Sequence, residues 1–144
     1  MSVLSNQVNL DDWEQITSSR DVDNLINKFG GFSDCILVES RIWGECYVDD
    51  ELCIVYPQAE TADQKARVVF QRQGSNPKAI ELLFIGLKAI QIKCRDNASD
   101  GIINFATIAD DSMGDRSFLA KASSAPAAEL IVAIRARSIY WRAL

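Results

Sequence analysis

Near the N-terminus, three apolar residues recur at helical spacing. Leu10, Trp13 and Ile16 lie three residues apart, which predicts a short helix over residues 10–17. A second helix follows a capping box, in which Ser18 stands three residues before Asp21. Its apolar stripe is formed by Val22, Leu25, Ile26 and Phe29. Gly30 and Gly31 then end this helix, because glycine readily adopts the left-handed conformation of a helix C-terminus.

The periodicity changes from helical to alternating after this pair of glycines. Ile36, Val38, Ser40 and Ile42 fall on one face of a strand that begins near Asp34. Shorter alternating or apolar runs, bounded by Gly, Pro, Asn and Asp, predict further strands at residues 45–48, 52–56, 67–71, 80–85, 88–94, 102–109 and 118–122. Residues 80–94 fit either two strands or one strand bent at Gly86.

The C-terminal segment, residues 129–142, fits two conformations. Its alanines suit a helix, whereas its many β-branched and aromatic residues favour strands. We favour strands. Successive strands without intervening helices predict antiparallel pairing. The expected fold is therefore α+β, a single domain over residues 1–144. In it, two N-terminal helices precede a mostly antiparallel curved sheet or sandwich of about seven or eight strands.

Composition narrows the partners and the compartment. The net charge is −5 and the pI is about 4.7, which disfavours nucleic acid as a partner because such binding depends on clustered Lys and Arg. No apolar run approaches the ~20 residues that span a bilayer, and the N-terminus lacks the features of a signal peptide. We therefore expect a cytoplasmic protein without a membrane association.

The chain contains no histidine. This excludes Ser-His-Asp and Cys-His catalysis as well as histidine-ligated metals. The cysteines, Cys35, Cys46, Cys53 and Cys94, include no C-x-x-C pair, so we expect four reduced thiols and no metal site. No sequence motif indicates a cofactor. The composition thus predicts a protein that is not an enzyme, although catalysis by carboxylates remains a third possibility.

Two places in the chain are candidate binding sites. Asp34 stands where the helix gives way to the first strand, and it fits either a structural or a functional role. In the structural role its carboxylate accepts backbone N–H groups and fixes the turn. The second candidate is a basic and aromatic group at the C-terminus, formed by Arg135, Arg137, Tyr140 and Arg142. Such residues are typical anchors of protein interfaces, but they are equally typical of a solvated strand face.

Three segments resemble a loose group of small, mostly uncharacterised bacterial proteins. Residues 32–36, Phe-Ser-Asp-Cys-Ile, are similar to the F-H-D-x-x-I start of that group. Residues 80–90, Ile-Glu-Leu-Leu-Phe-Ile-Gly-Leu-Lys-Ala-Ile, resemble its I-E-L-x-F-x-G-L/V-x-x-I segment, and residues 139–142 resemble its aromatic end. The likeness extends over residues 20–142. Ser33 stands where the group has His, so no proton transfer assigned to that His applies here.

The resemblance and the charge together suggest a function. Some members of the group are similar to immunity proteins that neutralise secreted bacterial toxins, and an acidic inhibitor suits a basic toxin. We therefore expect a non-enzymatic domain that binds a protein partner. The more specific form of this expectation is a cytoplasmic immunity protein. The alternative is an antiparallel β domain that binds a small ligand in a pocket lined by strand residues.

Overall fold

The computed structural model describes residues 8–56, 64–93, 101–123 and 129–144. Helix α1 (Ser19–Lys28) begins at the predicted capping box. The Asp21 N–H donates to the Ser18 hydroxyl oxygen at 3.3 Å, and the Asp21 carboxylate accepts from the backbone N–H groups of Ser18 and Thr17. Hydrogen bonds from the Thr17 hydroxyl and the Thr17 N–H lower the pKa of Asp21. The second predicted helix is thus confirmed.

The first predicted helix is wrong. Residues 10–17 contain only a 3₁₀ turn (Leu10–Asp12) and a short strand, β1 (Glu14–Gln15). The backbone N–H of Ile16 donates to the carbonyl of Ile139 at 2.9 Å, and β1 pairs with the C-terminal strand. Hydrogen bonds to a neighbouring strand therefore replace those within a helix, because a helix as short as residues 10–17 is marginal on its own. The described residues hold one α-helix.

Strands make up most of the fold, which is α+β with antiparallel pairing. The remaining strands are β2 (Cys35–Trp43), β3 (Tyr47–Val48), β4 (Ile54–Val55), β5 (Lys65–Arg72), β6 (Ala79–Ile92), β7 (Phe105–Asp110), β8 (Arg116–Lys121) and β9 (Leu130–Ala143). The strand interpretation of the C-terminal segment is confirmed. Residues 80–92 belong to one strand bent at Gly86, where a Cβ would lie 2.8 Å from the Cβ of Arg137. Cys94 lies outside the described residues.

One sheet of seven strands dominates the structure. Its order is β2-β5-β6-β9-β8-β7, and β1 pairs with the far end of β9. The sheet is not closed. Among the described residues its two edges meet at one isolated bridge, where Cys35 and Ile103 exchange backbone hydrogen bonds of 3.0 and 2.8 Å. β3 and β4 form a separate two-stranded hairpin between β2 and β5.

A left-handed turn joins α1 to the sheet and places an aromatic side chain at the centre of the core. Gly30, Gly31 and Phe32 have φ values of 61°, 71° and 60°. Left-handed φ costs a non-glycine residue roughly 1–2 kcal/mol. Phe32 is fully buried, and its ring lies 5.0 to 5.8 Å from the rings of Phe29, Phe70 and Phe118. Burial of a Phe side chain contributes about 1.5–3 kcal/mol, which offsets the backbone strain.

The guanidinium of Arg72, at the end of β5, fastens this turn to the β5–β6 connection. Its Nε donates to the carbonyl of Pro77 at 2.9 Å and its Nη2 to the carbonyl of Ser75 at 3.3 Å. It also lies 5.0 Å from the centre of the Phe29 ring. A Cβ at Gly30 would clash with Nη1 of this guanidinium, whereas a Cβ at Gly31 would meet no atom within 4 Å.

These contacts distinguish two neighbouring glycines with similar φ. Both Gly30→Ala and Gly31→Ala introduce left-handed strain of roughly 1–2 kcal/mol. We expect Gly30→Ala to lower the free energy of unfolding further, by about 1 kcal/mol, because it displaces Arg72 from its carbonyl acceptors. Chemical denaturation of the two variants checks this. In an Arg72→Ala background the two substitutions should have equal effects, and a difference that persists there would contradict the role of Arg72.

Candidate functional site

The β3–β4 hairpin presents a group of exposed apolar side chains. Val48 and Ile54 are paired across the two strands and therefore share one face, where they are 54% and 58% exposed. Tyr56, which directly follows β4, is 69% exposed. Contiguous exposed apolar surface of this kind is typical of an interaction site.

The tip of the hairpin adds negative charge to this face. The Asp49 carboxylate accepts from the backbone N–H groups of Glu51 and Cys53, each at 2.9 Å, so it shapes the turn. Asp50 and Glu51 are exposed. We call the set of Val48, Asp50, Glu51, Leu52, Ile54 and Tyr56 the hairpin surface.

Leu52 is the most unusual member of the hairpin surface. It has a φ of 64° at the end of the turn, a position where hairpins of this length commonly have Gly. Its side chain is 85% exposed, so burial does not offset the strain. Backbone strain that the fold does not need is often found at functional positions. Leu52 therefore points to a role for its side chain outside the fold.

A buried ion pair lies at the base of the hairpin. Lys65, the first residue of β5, is fully buried, and its Nζ lies 3.2 Å from Oε1 of Glu45. Glu45 lies two residues before β3, so this contact connects the hairpin to the large sheet. A buried Lys requires a partner because an unpaired buried charge is strongly disfavoured.

The structure places Asp34 in an exposed cleft at the opposite end of β2. Within the described part of the chain its carboxylate has no hydrogen bond or ion pair, so the structure gives no support to the anchoring of the turn by this carboxylate. Its φ is 56°, a left-handed value that Asp and Asn tolerate better than other non-glycine residues. The turn is fixed instead by the burial of Phe32 and by the contacts of Arg72.

The C-terminal candidates do not form one patch. Arg135 and Arg142 lie seven positions apart on β9, roughly 23 Å at about 3.3 Å per residue. Arg135 Nη1 lies 3.7 Å from Oδ2 of Asp111, and the Arg142 Nε donates to the buried carboxylate of Glu81. Arg137 is exposed and Tyr140 half-buried between them. Arg135 and Arg142 thus have acidic partners within the protein.

The partners of Arg142 belong to a ladder of charges that the sequence did not reveal. Glu81 is fully buried on β6 and accepts from Arg142 on one side and from Nε of Arg67 on the other. Arg67 Nη1 also donates to Oε1 of Glu39 at 3.1 Å, and Arg142 stacks 4.2 Å from the centre of the Trp13 ring. The charged residues of this ladder lie on four strands, β2, β5, β6 and β9. Glu81 and Arg142 are 61 residues apart in the chain, so no local pattern predicts their pairing.

The cysteines differ in environment. Cys35, Cys46 and Cys53 are free thiols, and Cys46 and Cys53 are exposed on the hairpin. Burial raises the pKa of the Cys35 thiol to about 12, and the neighbouring carboxylate of Asp34 adds to this shift. The described part of the chain contains no cluster of Cys, Asp and Glu that could hold a metal ion. It also contains no helix with the length and apolar character needed to cross a membrane.

The buried ion pair at the base of the hairpin leads to a stability prediction. Glu45→Gln removes the carboxylate that lies 3.2 Å from the fully buried Lys65 ammonium, which should lower the free energy of unfolding by about 1–3 kcal/mol. Glu39→Gln removes a similar contact of 3.1 Å, but its side chain is 55% exposed, and the loss should stay below about 1 kcal/mol. Urea denaturation of the two variants makes the comparison. Equal losses would contradict the importance of burial at Lys65.

The stability of Asp34 variants distinguishes the observed geometry from a turn that is held by the Asp34 carboxylate. Asp34→Asn should be as stable as the parent, since no hydrogen bond is lost and Asn also tolerates a left-handed φ. Asp34→Val should lose about 1–2 kcal/mol through backbone strain. Thermal and urea denaturation measure both. A loss of 1 kcal/mol or more in Asp34→Asn would restore the carboxylate as the anchor.

No family model, no curated protein and no solved structure matches this chain. The interpretation of the hairpin surface and of the cleft at Asp34 therefore rests on their own geometry and chemistry.

Proposed function

We propose that the protein is a non-enzymatic binding domain that docks a basic protein partner on the hairpin surface. The observation that carries the proposal is Leu52, a strained and almost fully exposed apolar residue. Leucine at this position gives the isolated fold neither burial nor a relaxed backbone. A partner that buries the side chain supplies the missing compensation, since burying a Leu contributes about 1.5–3 kcal/mol.

The chemistry of the hairpin surface defines the partner. Val48, Ile54 and Tyr56 provide apolar and aromatic area, and tyrosine is among the residues enriched at interfaces. Asp50 and Glu51 border this area and complement Lys and Arg on the other protein. The net charge of −5 acts in the same direction over longer distances, because complementary fields accelerate association.

The more specific form of the proposal is a cytoplasmic immunity protein that neutralises a basic bacterial toxin. It is supported by the acidic, apolar hairpin and by the resemblance of residues 32–36 and 80–90 to small bacterial proteins. Inhibition requires only binding, so the absence of histidine from the sequence is compatible with it.

A binding experiment with the product of the adjacent gene tests the proposal. The probe is the basic protein encoded beside this gene, purified in an inactive form and titrated by calorimetry. Leu52→Gly should weaken binding at least tenfold, which corresponds to about 1.4 kcal/mol. The same substitution relieves the left-handed strain, so the melting temperature should stay unchanged or rise. A loss of binding therefore cannot be attributed to unfolding.

Met113 provides a matched control, because it is 80% exposed in the turn between β7 and β8. Met113→Ala should leave the affinity unchanged. In the complex, alkylation of Cys46 and Cys53 should slow, while Cys35 remains unreactive in both states because of its burial and raised pKa. An adjacent basic protein that does not bind would overturn the immunity function. A complex that is insensitive to Leu52→Gly would overturn the hairpin surface as the docking site.

A further inference from the structure

A cleft of about 440 Å³ lies at the end of the sheet farthest from the hairpin along β2. Its apolar lining comes from Ile36 on β2 and from Ile102, which precedes the point where the two sheet edges meet. These side chains are 45% and 39% exposed. The volume lies within the range of small-molecule sites, about 300–1,000 Å³.

Two side chains of opposite charge line this cleft without pairing. Asp34 and Lys78 both border it, yet they form no ion pair with each other. Among residues 8–56, 64–93, 101–123 and 129–144, neither side chain has a hydrogen bond or an ion pair. A cleft with a separate carboxylate and a separate ammonium is complementary to a ligand that carries both charges.

Arg72 adds a second positive charge at a fixed position in the same lining. Its Nε and Nη2 are held by the carbonyls of Pro77 and Ser75, so the guanidinium does not collapse onto Asp34. The positive groups Arg72 and Lys78 therefore favour an anionic end of the ligand, and Asp34 favours a cationic end. The fixed position of the Arg72 guanidinium provides specificity because it needs little reorganisation on binding.

We propose that this cleft binds a zwitterionic α-amino acid with an aliphatic side chain. The carboxylate of the ligand contacts the ammonium of Lys78, its ammonium contacts the carboxylate of Asp34, and its side chain lies on Ile36 and Ile102. The site is independent of the hairpin surface, which lies beyond the other end of β2.

NMR titration with three ligands tests the proposal. L-leucine should produce saturable shifts in the backbone amides of residues 34–36 and 78. N-acetyl-leucine lacks the ammonium and leucinamide lacks the carboxylate, so each should bind at least tenfold more weakly. Three equally weak titrations, or shifts of L-leucine confined to another part of the protein, would overturn the proposal.

Two substitutions assign the charges to the two ends of the ligand. Asp34→Asn should reduce the affinity for L-leucine at least tenfold while leaving the affinity for N-acetyl-leucine unchanged. Lys78→Gln should reduce the affinity for L-leucine and leave leucinamide unaffected. Lys88→Gln, an exposed lysine outside the cleft lining, is the control and should change none of the three affinities. Equal effects of Asp34→Asn on L-leucine and on N-acetyl-leucine would contradict the contact between Asp34 and the ammonium.

Discussion

The burial of Phe32 connects the helix, the centre of the sheet and the place where its two edges meet. Its ring contacts Phe29 at the end of α1, Phe70 on β5 and Phe118 on β8. The chain reaches this position only through successive left-handed residues, each with a conformational cost. The aromatic contacts and the contacts of Arg72 outweigh that cost. Because the strand after this turn begins at Cys35, the same turn determines where β2 starts and where it meets Ile103.

The other face of the sheet depends on buried charges. Glu81 and Lys65 are fully buried, and each has a partner of opposite charge. Pairing removes the large penalty of an isolated buried charge, although a buried pair adds less stability than apolar packing of the same volume. The ladder through Arg67, Glu81 and Arg142 joins strands that are distant in the chain. It therefore favours one register of the sheet over others, because a slipped strand would leave a buried charge unpaired.

The two proposed binding sites use different physical means. The hairpin surface combines exposed apolar area with acidic residues, which suits a large partner and electrostatic attraction. The cleft at Asp34 combines an open volume of about 440 Å³ with side chains of both charges, which suits a small ligand. Both sites lie next to edge strand β2, beyond its two ends. The ion pair of Lys65 with Glu45 connects the hairpin surface to the large sheet. The hydrogen bond from Arg72 to the Pro77 carbonyl positions the guanidinium in the lining of the cleft.

The sequence by itself determined the elements whose signals are local. The capping box of Ser18 and Asp21, the apolar stripe of α1 and the two glycines after it predict the helix and its end. Alternation and β-branched residues predict most of the strands, including the C-terminal strand, despite its alanines. The change of periodicity at Asp34 made it a candidate site residue, which stays a prediction.

Only the tertiary structure decided what depends on distant residues. The segment around Trp13 and Ile16 has helical spacing, but backbone hydrogen bonds to Ile139 make part of it a strand. The turn before Asp34 is held by the burial of Phe32 among aromatic rings, which no short pattern reveals. Arg142 was expected on a free surface, whereas it neutralises Glu81 from a strand 61 residues away. Local patterns report the conformational preference of a few residues, and long-range pairing overrides that preference wherever it satisfies more backbone groups and buried charges.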